Sequence, residues 1–169
     1  ALAAYDLLTE LKSRAHYFGD KSDELVDYSQ TFKLDASGAT IVKETTLNTY
    51  DTDVLDYSNT YKGGTEDSKV VTSLAKKSYT NYTGSVKGEE ITDYSYNYKP
   101  NGTTVDTTTV YFYTDTNKRS SDDGVTGDTA METSSTYRGD HSLAAYDLTA
   151  DLKSRAHYFG DKSDELVDY

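Results

Sequence analysis

The 169-residue chain has no cysteine and no tryptophan, a single proline and a single methionine. Without cysteine there is no disulfide framework, no thiolate metal site and no cysteine nucleophile. No apolar run approaches the ~18 residues that a membrane-crossing helix needs. Basic residues are few: 17 Lys and Arg against 29 Asp and Glu leave a net charge of −12. That is the wrong sign for nucleic acid, which is held by basic stripes that displace counterions. The chain opens inside structured-looking sequence and carries no signal-peptide pattern. Neither a nucleic-acid partner nor a membrane span is expected.

What is present is tyrosine, 17 residues of it beside four phenylalanines, and threonine in runs such as Thr107-Thr108-Thr109. Aromatic and β-branched side chains pack well on a pleated surface, and disordered chains are poor in both. The composition predicts a mainly β fold.

Residues 2–7 read Leu-Ala-Ala-Tyr-Asp-Leu and return as residues 143–148. The match continues from Lys12–Gly19 to Lys153–Gly160 and runs on to Tyr28 and Tyr169, at a constant offset of 141. Of 28 aligned positions 24 are identical; only Ala1/Ser142, Leu8/Thr149, Thr9/Ala150 and Glu10/Asp151 differ. A fixed long period at that identity is the mark of a tandem array. A weaker repeat divides the period. Asp27-Tyr28-Ser29-Gln30-Thr31-Phe32-Lys33 resembles Asp93-Tyr94-Ser95-Tyr96-Asn97-Tyr98-Lys99, and Ser58-Asn59-Thr60-Tyr61-Lys62-Gly63 answers Ser134-Ser135-Thr136-Tyr137-Arg138-Gly139. The organisation read from these matches is a connector at 1–10, a β unit at 11–76, a second at 77–152 and the start of the next period at 153–169. The chain is then expected to continue in both directions. The alternative is a terminal exchange, in which a duplicated end completes a neighbouring subunit.

Within each unit, Val26, Tyr28, Phe32 and Leu34 alternate with polar residues, as do Tyr94, Tyr96 and Tyr98. Period two marks half-buried strands. Return strands are expected at 40–50 and 103–113, and closing strands at 54–62 and 130–138. The contiguous Val110–Tyr113 predicts cover on both faces or a bulge. Asn101-Gly102, after the sole proline, predicts a turn with positive φ. Ala144, Leu148 and Leu152, spaced by four after Ser142, predict a connector helix at about 143–152. Ser68–Lys77, in the corresponding place, is read the same way. The expected architecture is an antiparallel β-solenoid or ribbon of tandem repeats with short helical connectors.

The pattern Tyr17-Phe18-Gly19-Asp20-Lys21, then Asp27-Tyr28-Ser29-Gln30-Thr31-Phe32-Lys33-Leu34-Asp35 and Gly38, resembles units of very long tandem-repeat proteins of uncultured environmental bacteria. The resemblance implies an extracellular or cell-surface fibril and brings no assigned chemistry. Tyr98-Lys99 with Asn101-Gly102, and Asn48-Thr49-Tyr50-Asp51, are more distantly similar to the tyrosine–aspartate repeat class of β-spiral shells, without its Arg-Tyr and Gly-Arg pairs.

Chemistry-bearing motifs are sparse. His16 and His157 are one position in two copies, and His141 is the remaining histidine. No zinc signature, phosphate-cradling glycine loop or nucleophile triad accompanies them, so no enzyme, cofactor or metal site is expected. The acidic turns at 20–24, 51–53 and 120–124 read as solvated, with divalent cations as possible partners. Asn81 and Asn101 match the N-glycosylation pattern. Tyr94, Tyr96 and Tyr98, with Tyr111 and Tyr113 across from them, form a candidate face for stacking polysaccharide. The leading expectation is a structural fibril or stalk whose partners are neighbouring copies of the same repeat. The alternative is an adhesin that binds glycans through the tyrosine face.

Overall fold

The computed structural model describes residues 11–114, 117–141, 143, 151–162 and 166–167. These form one open sheet of ten antiparallel strands, hydrogen-bonded in chain order. The strands are β1 (Ser13–Phe18), β2 (Leu25–Leu34), β3 (Thr40–Asp51), β4 (Val54–Lys62), β5 (Lys76–Thr83), β6 (Ile91–Tyr98), β7 (Val105–Tyr113), β8 (Met131–Arg138), β9 (Leu152–Phe159) and β10 (Leu166–Val167). The expected strands are all present. Four more, β1, β5, β9 and β10, stand beside them.

The sheet contains no helix among the described residues, which corrects the helical reading of Ser68–Lys77. That segment is an irregular strap. The Gln30 side chain donates to the Thr65 and Ser68 carbonyls and accepts from the Asp67 N–H, so the strap is tied to the sheet, and its own backbone bonds are the isolated turns Ser68 N to Thr65 O and Leu74 N to Val71 O. Asp67 sits at φ 55°, outside the helical region, and Lys76 and Lys77 enter β5. The helix expected at about 143–152 falls mostly outside the described residues, as does the connector at 1–10. Asp151 lies in a turn and Leu152 opens β9.

Every one of the eight pairings from β1/β2 to β8/β9 is interrupted by one extra residue near the start of the later strand. The extra residues are Asp27, Lys43, Asp56, Lys77, Asp93, Asp106, Glu132 and Lys153. All eight are charged. A bulge residue is left out of the ladder and bends its strand; seven of these side chains are exposed or half-buried, and Asp93, which is buried, pairs with Arg119. Repeated bulges also pin the register, which otherwise can slip in a sheet with polar residues on one face. The bulge expected around Val110–Tyr113 lies opposite it, at Glu132.

Register assigns the two faces. One row of directly opposed residues runs His16, Tyr28, Leu47, Asn59, Tyr79, Tyr96, Thr108, Tyr137 and Leu152. On the reverse face a row of small polar residues runs Asn48, Ser58, Thr80, Ser95, Thr109, Thr136 and Ser154. The bulky face is covered at two places. Over β2 and β3 the strap 63–75 buries Tyr28, Gln30, Val42 and Thr45. Over β7 and β8 a small core of Val110, Phe112 and Tyr137 packs with Leu143 and Leu152. Each of these large side chains contributes ~1.5–3 kcal/mol on burial.

The two four-strand blocks repeat in detail. Thr45 Oγ1 donates to Gly63 O at 2.9 Å and Thr108 Oγ1 to Gly139 O at 2.8 Å. Gly63 N donates to Lys43 O, and Gly139 N to Asp106 O, both at 2.8 Å. The Thr46/Thr60 and Thr109/Thr136 hydroxyl pairs are each 2.9 Å apart. Tyr50 OH donates to Val26 O at 3.0 Å, and Tyr113 OH to Thr92 O at 2.6 Å.

The two chain ends match as well. Phe18 opposes Leu25 and Tyr17 opposes Val26; 141 residues later Phe159 opposes Leu166 and Tyr158 opposes Val167. The second copy of the strand lies in the same sheet, against β8.

Candidate functional site

Between the two covered patches, β4, β5 and β6 leave the bulky face open, and tyrosine fills it. Tyr57 and Tyr79 lie with ring centroids 5.5 Å apart. Tyr79 is 5.9 Å from Tyr94 and 6.1 Å from Tyr96, which are 5.2 Å from each other in an edge-on arrangement. The Lys76 ammonium stands 6.0 Å from the Tyr79 ring and 5.5 Å from the Tyr98 ring. At the far side the Arg119 guanidinium lies 5.8 Å from the Tyr94 ring. It also pairs with the buried Asp93 carboxylate and donates to Leu143 O at 2.8 Å. Cations at these distances are attracted by the ring quadrupole.

The rings are half-buried, and burial raises the phenol pKa values of Tyr79, Tyr94, Tyr96 and Tyr98 because it disfavours the phenolate. Tyr79 is pushed up to about 12, first by burial and then by its hydrogen bond with Tyr94. Tyr94, Tyr96 and Tyr98 are raised for the same leading cause. At neutral pH the shelf is a field of uncharged hydroxyl-bearing rings flanked by Lys76 and Arg119.

The structure brings Tyr94, Tyr96 and Tyr98 together but places Tyr111 and Tyr113 elsewhere. Tyr94 opposes Val110 and Tyr96 opposes Thr108, so alternation turns Tyr111 and Tyr113 to the reverse face. Tyr113 is buried there, its hydroxyl donating to Thr92 O. Tyr79 and Lys76 of β5 take the places across from β6, with Tyr57 of β4 beyond them. The alternating Tyr57-x-Asn59-x-Tyr61 and Tyr79-x-Asn81 are a signal that could have found them.

Asn101 sits on an exposed turn, where its Oδ1 accepts from Thr103 N and Thr104 N and its Nδ2 donates to Thr104 Oγ1. Asn81 lies within β5, opposed by Tyr57 on one side and Tyr94 on the other. The histidines are packed on sheet residues. His16 stacks on Tyr28 at 4.2 Å and His141 on Tyr137 at 3.8 Å, while His157 Nδ1 is 3.4 Å from Thr133 Oγ1.

Acidic turns cap themselves. Asp35 Oδ1 accepts from Ser37 N, Ser37 Oγ and Ala39 N, bonds that hold its carboxyl below the usual range. Among the described residues no three or more His, Asp or Glu converge as a metal site. The bulges do sort charge along the sheet. Antiparallel strands start at alternate ends, so Asp27, Asp56, Asp93 and Glu132 fall on one rim, and Lys43, Lys77 and Lys153 on the other with Asp106. The acidic rim also carries Asp51 and Asp53, which line an open groove with Tyr50, Leu55 and Tyr82.

Comparison with protein-family models, with curated proteins and with solved structures gives no significant match.

Proposed function

We propose that the chain is a stretch of a tandem-repeat structural protein, forming an extracellular fibril or stalk in which one sheet continues from each 141-residue period into the next. The single observation behind this reading is β9. It is a second copy of β1, and it extends the same sheet beyond β8 in place of starting a separate body. An array of this kind draws its stability from unit terms plus nearest-neighbour terms, and each added period covers the edge that the previous one exposes. Whether it runs as a flat ribbon or coils into a solenoid, the strands lie across its long axis. Electron microscopy of the filament tests the reading through its axial repeat; a filament built of separated globular beads would overturn it.

Removing the last 28 residues takes away three basic and six acidic residues, leaving −9 for one period. Like charge keeps neighbouring filaments apart, and divalent cations gathered along the acidic rim would bundle them. Light scattering of filaments should rise with calcium concentration, and a flat response contradicts this part of the proposal.

A second reading is favoured by the open shelf of Tyr57, Tyr79, Tyr94, Tyr96 and Tyr98. Half-buried rings presenting hydroxyl groups suit stacking on sugar faces, which would make the repeat an adhesin for polysaccharide. A glycan array probed with the full chain tests it, and absence of binding to any glycan overturns it.

A further inference from the structure

We infer that the outer edge of β8 and the outer edge of β1 are the two halves of a head-to-tail docking site, used when a second copy of this chain places its β1 where β9 sits. The inference rests on the array reading above and adds to it the partner, the strand and the register.

Residues 13–18 and 154–159 are the same six residues, Ser-Arg-Ala-His-Tyr-Phe. In β9 they oppose β8 as Thr133 with His157, Ser134 with Ala156, Ser135 with Arg155 and Thr136 with Ser154. Among the described residues β1 has a neighbour on one side only, β2. An incoming β1 therefore meets β8 with His16 at Thr133, Ala15 at Ser134, Arg14 at Ser135 and Ser13 at Thr136. The side chains allow it. Arg155 Nε donates to Ser135 Oγ at 2.8 Å. Arg14 holds Glu66 and Asp67 through Nη1, which leaves its Nε for the same serine. Lys162 reaches Gly127 O, and its copy in the turn that follows the incoming strand is Lys21.

The exchange swaps like for like, so each ladder bond lost with β9 is remade with β1. What favours β9 is its tether. Residues 139–151 join it to β8, and a strand held on the same chain acts at an effective concentration on the order of 1 mM. Exchange is then governed by mass action. It stays minor in dilute solution and becomes substantial as the chain concentration approaches that value.

Neighbouring N–H groups along a strand point to opposite sides, so R155P/A156P removes a β9 donor toward β8 and leaves β1 intact. In sedimentation experiments on the full chain, this variant should assemble at concentrations at least tenfold lower than the unaltered chain. Adding R14P/A15P should abolish that assembly. Register is read by cysteine pairs in the otherwise cysteine-free chain. T136C/S154C should close within one molecule, and S13C/T136C should give disulfide-linked head-to-tail ladders on oxidation at high concentration. Monomers from S13C/T136C at millimolar concentration overturn the exchange, as does an R155P/A156P chain that keeps its β signature and stays monomeric. Failure of T136C/S154C to close would instead strike the array reading, because β9 would not lie on β8.

Discussion

Gln30 is the residue whose replacement separates hydrogen bonding from packing most cleanly. Its side chain is fully buried. Nε2 donates to Thr65 O at 2.9 Å and lies 3.3 Å from both Ser68 O and Thr45 Oγ1, while Oε1 accepts from Asp67 N at 3.0 Å. Gln30→Leu keeps most of the volume and deletes every one of these bonds. Each of these four bonds contributes ~0.5–1.5 kcal/mol net, and the Asp67 N–H loses its acceptor with them. Some of that is recovered where water reaches the strap, so the expected loss is ~2–4 kcal/mol. For a chain of this length that corresponds to a drop of roughly 5–15 °C in Tm. Gln30→Ala should lose about 1 kcal/mol more, through the cavity it leaves. Urea unfolding measures the loss, and amide exchange at residues 65–68 shows whether the strap has lifted. A Gln30→Leu chain within ~0.5 kcal/mol of the parent, with the Asp67 amide still protected, would refute the reasoning.

The two blocks should respond alike to matched changes. Thr45→Val and Thr108→Val each delete a buried hydroxyl that donates to a glycine carbonyl, so each should cost ~1–2 kcal/mol; a loss in one and none in the other contradicts their equivalence. Gly102 holds φ +73°, and a Cβ there would lie 2.7 Å from Lys76 N, whereas Gly38 at φ +84° has open space. Gly102→Ala should therefore lower Tm well beyond Gly38→Ala, and equal shifts would contradict the close approach. The tyrosine shelf makes stability sensitive to alkali. Burial pushes the Tyr79 phenol up to about 12 from an ordinary value of 10.0, so its contribution is complete below pH 10 and is lost as pH rises toward 12. Ultraviolet titration should show the delayed tyrosines ionising together with base-induced unfolding, and all 17 titrating near pH 10 would contradict it.

Strands with a strong period were legible in the sequence. The alternation of Tyr28, Phe32 and Leu34 and that of Tyr94, Tyr96 and Tyr98 each located a strand. β1 and β5 were not, because Ser13–Phe18 and Lys76–Thr83 have few aliphatic residues to mark an alternation. The strap at 63–75 carries Val70, Val71 and Leu74 at helix-like spacing, yet Gln30 captures its backbone and Val70 is exposed. A buried glutamine reaching 35 and 38 residues along the chain leaves no local signature. The tyrosine face was half legible: its β6 members follow from alternation, but which strand lies across from them depends on β5. The repeated pattern of an extra charged residue early in each strand is visible in Val26-Asp27-Tyr28, Leu55-Asp56-Tyr57 and Thr92-Asp93-Tyr94. Its meaning emerges only once register shows each of those acids outside the ladder.

The most direct test of sheet continuity is the axial repeat of a filament carrying several periods. From β1 to β9 the sheet advances eight strands, and at ~4.8 Å per strand one 141-residue period spans about 38 Å. Cryo-electron microscopy or fibre diffraction should give an axial repeat of about 34–40 Å, allowing for coiling, with a strand spacing near 4.8 Å along the same axis. A strand spacing perpendicular to the filament axis, or an axial repeat far outside that range, would contradict the account.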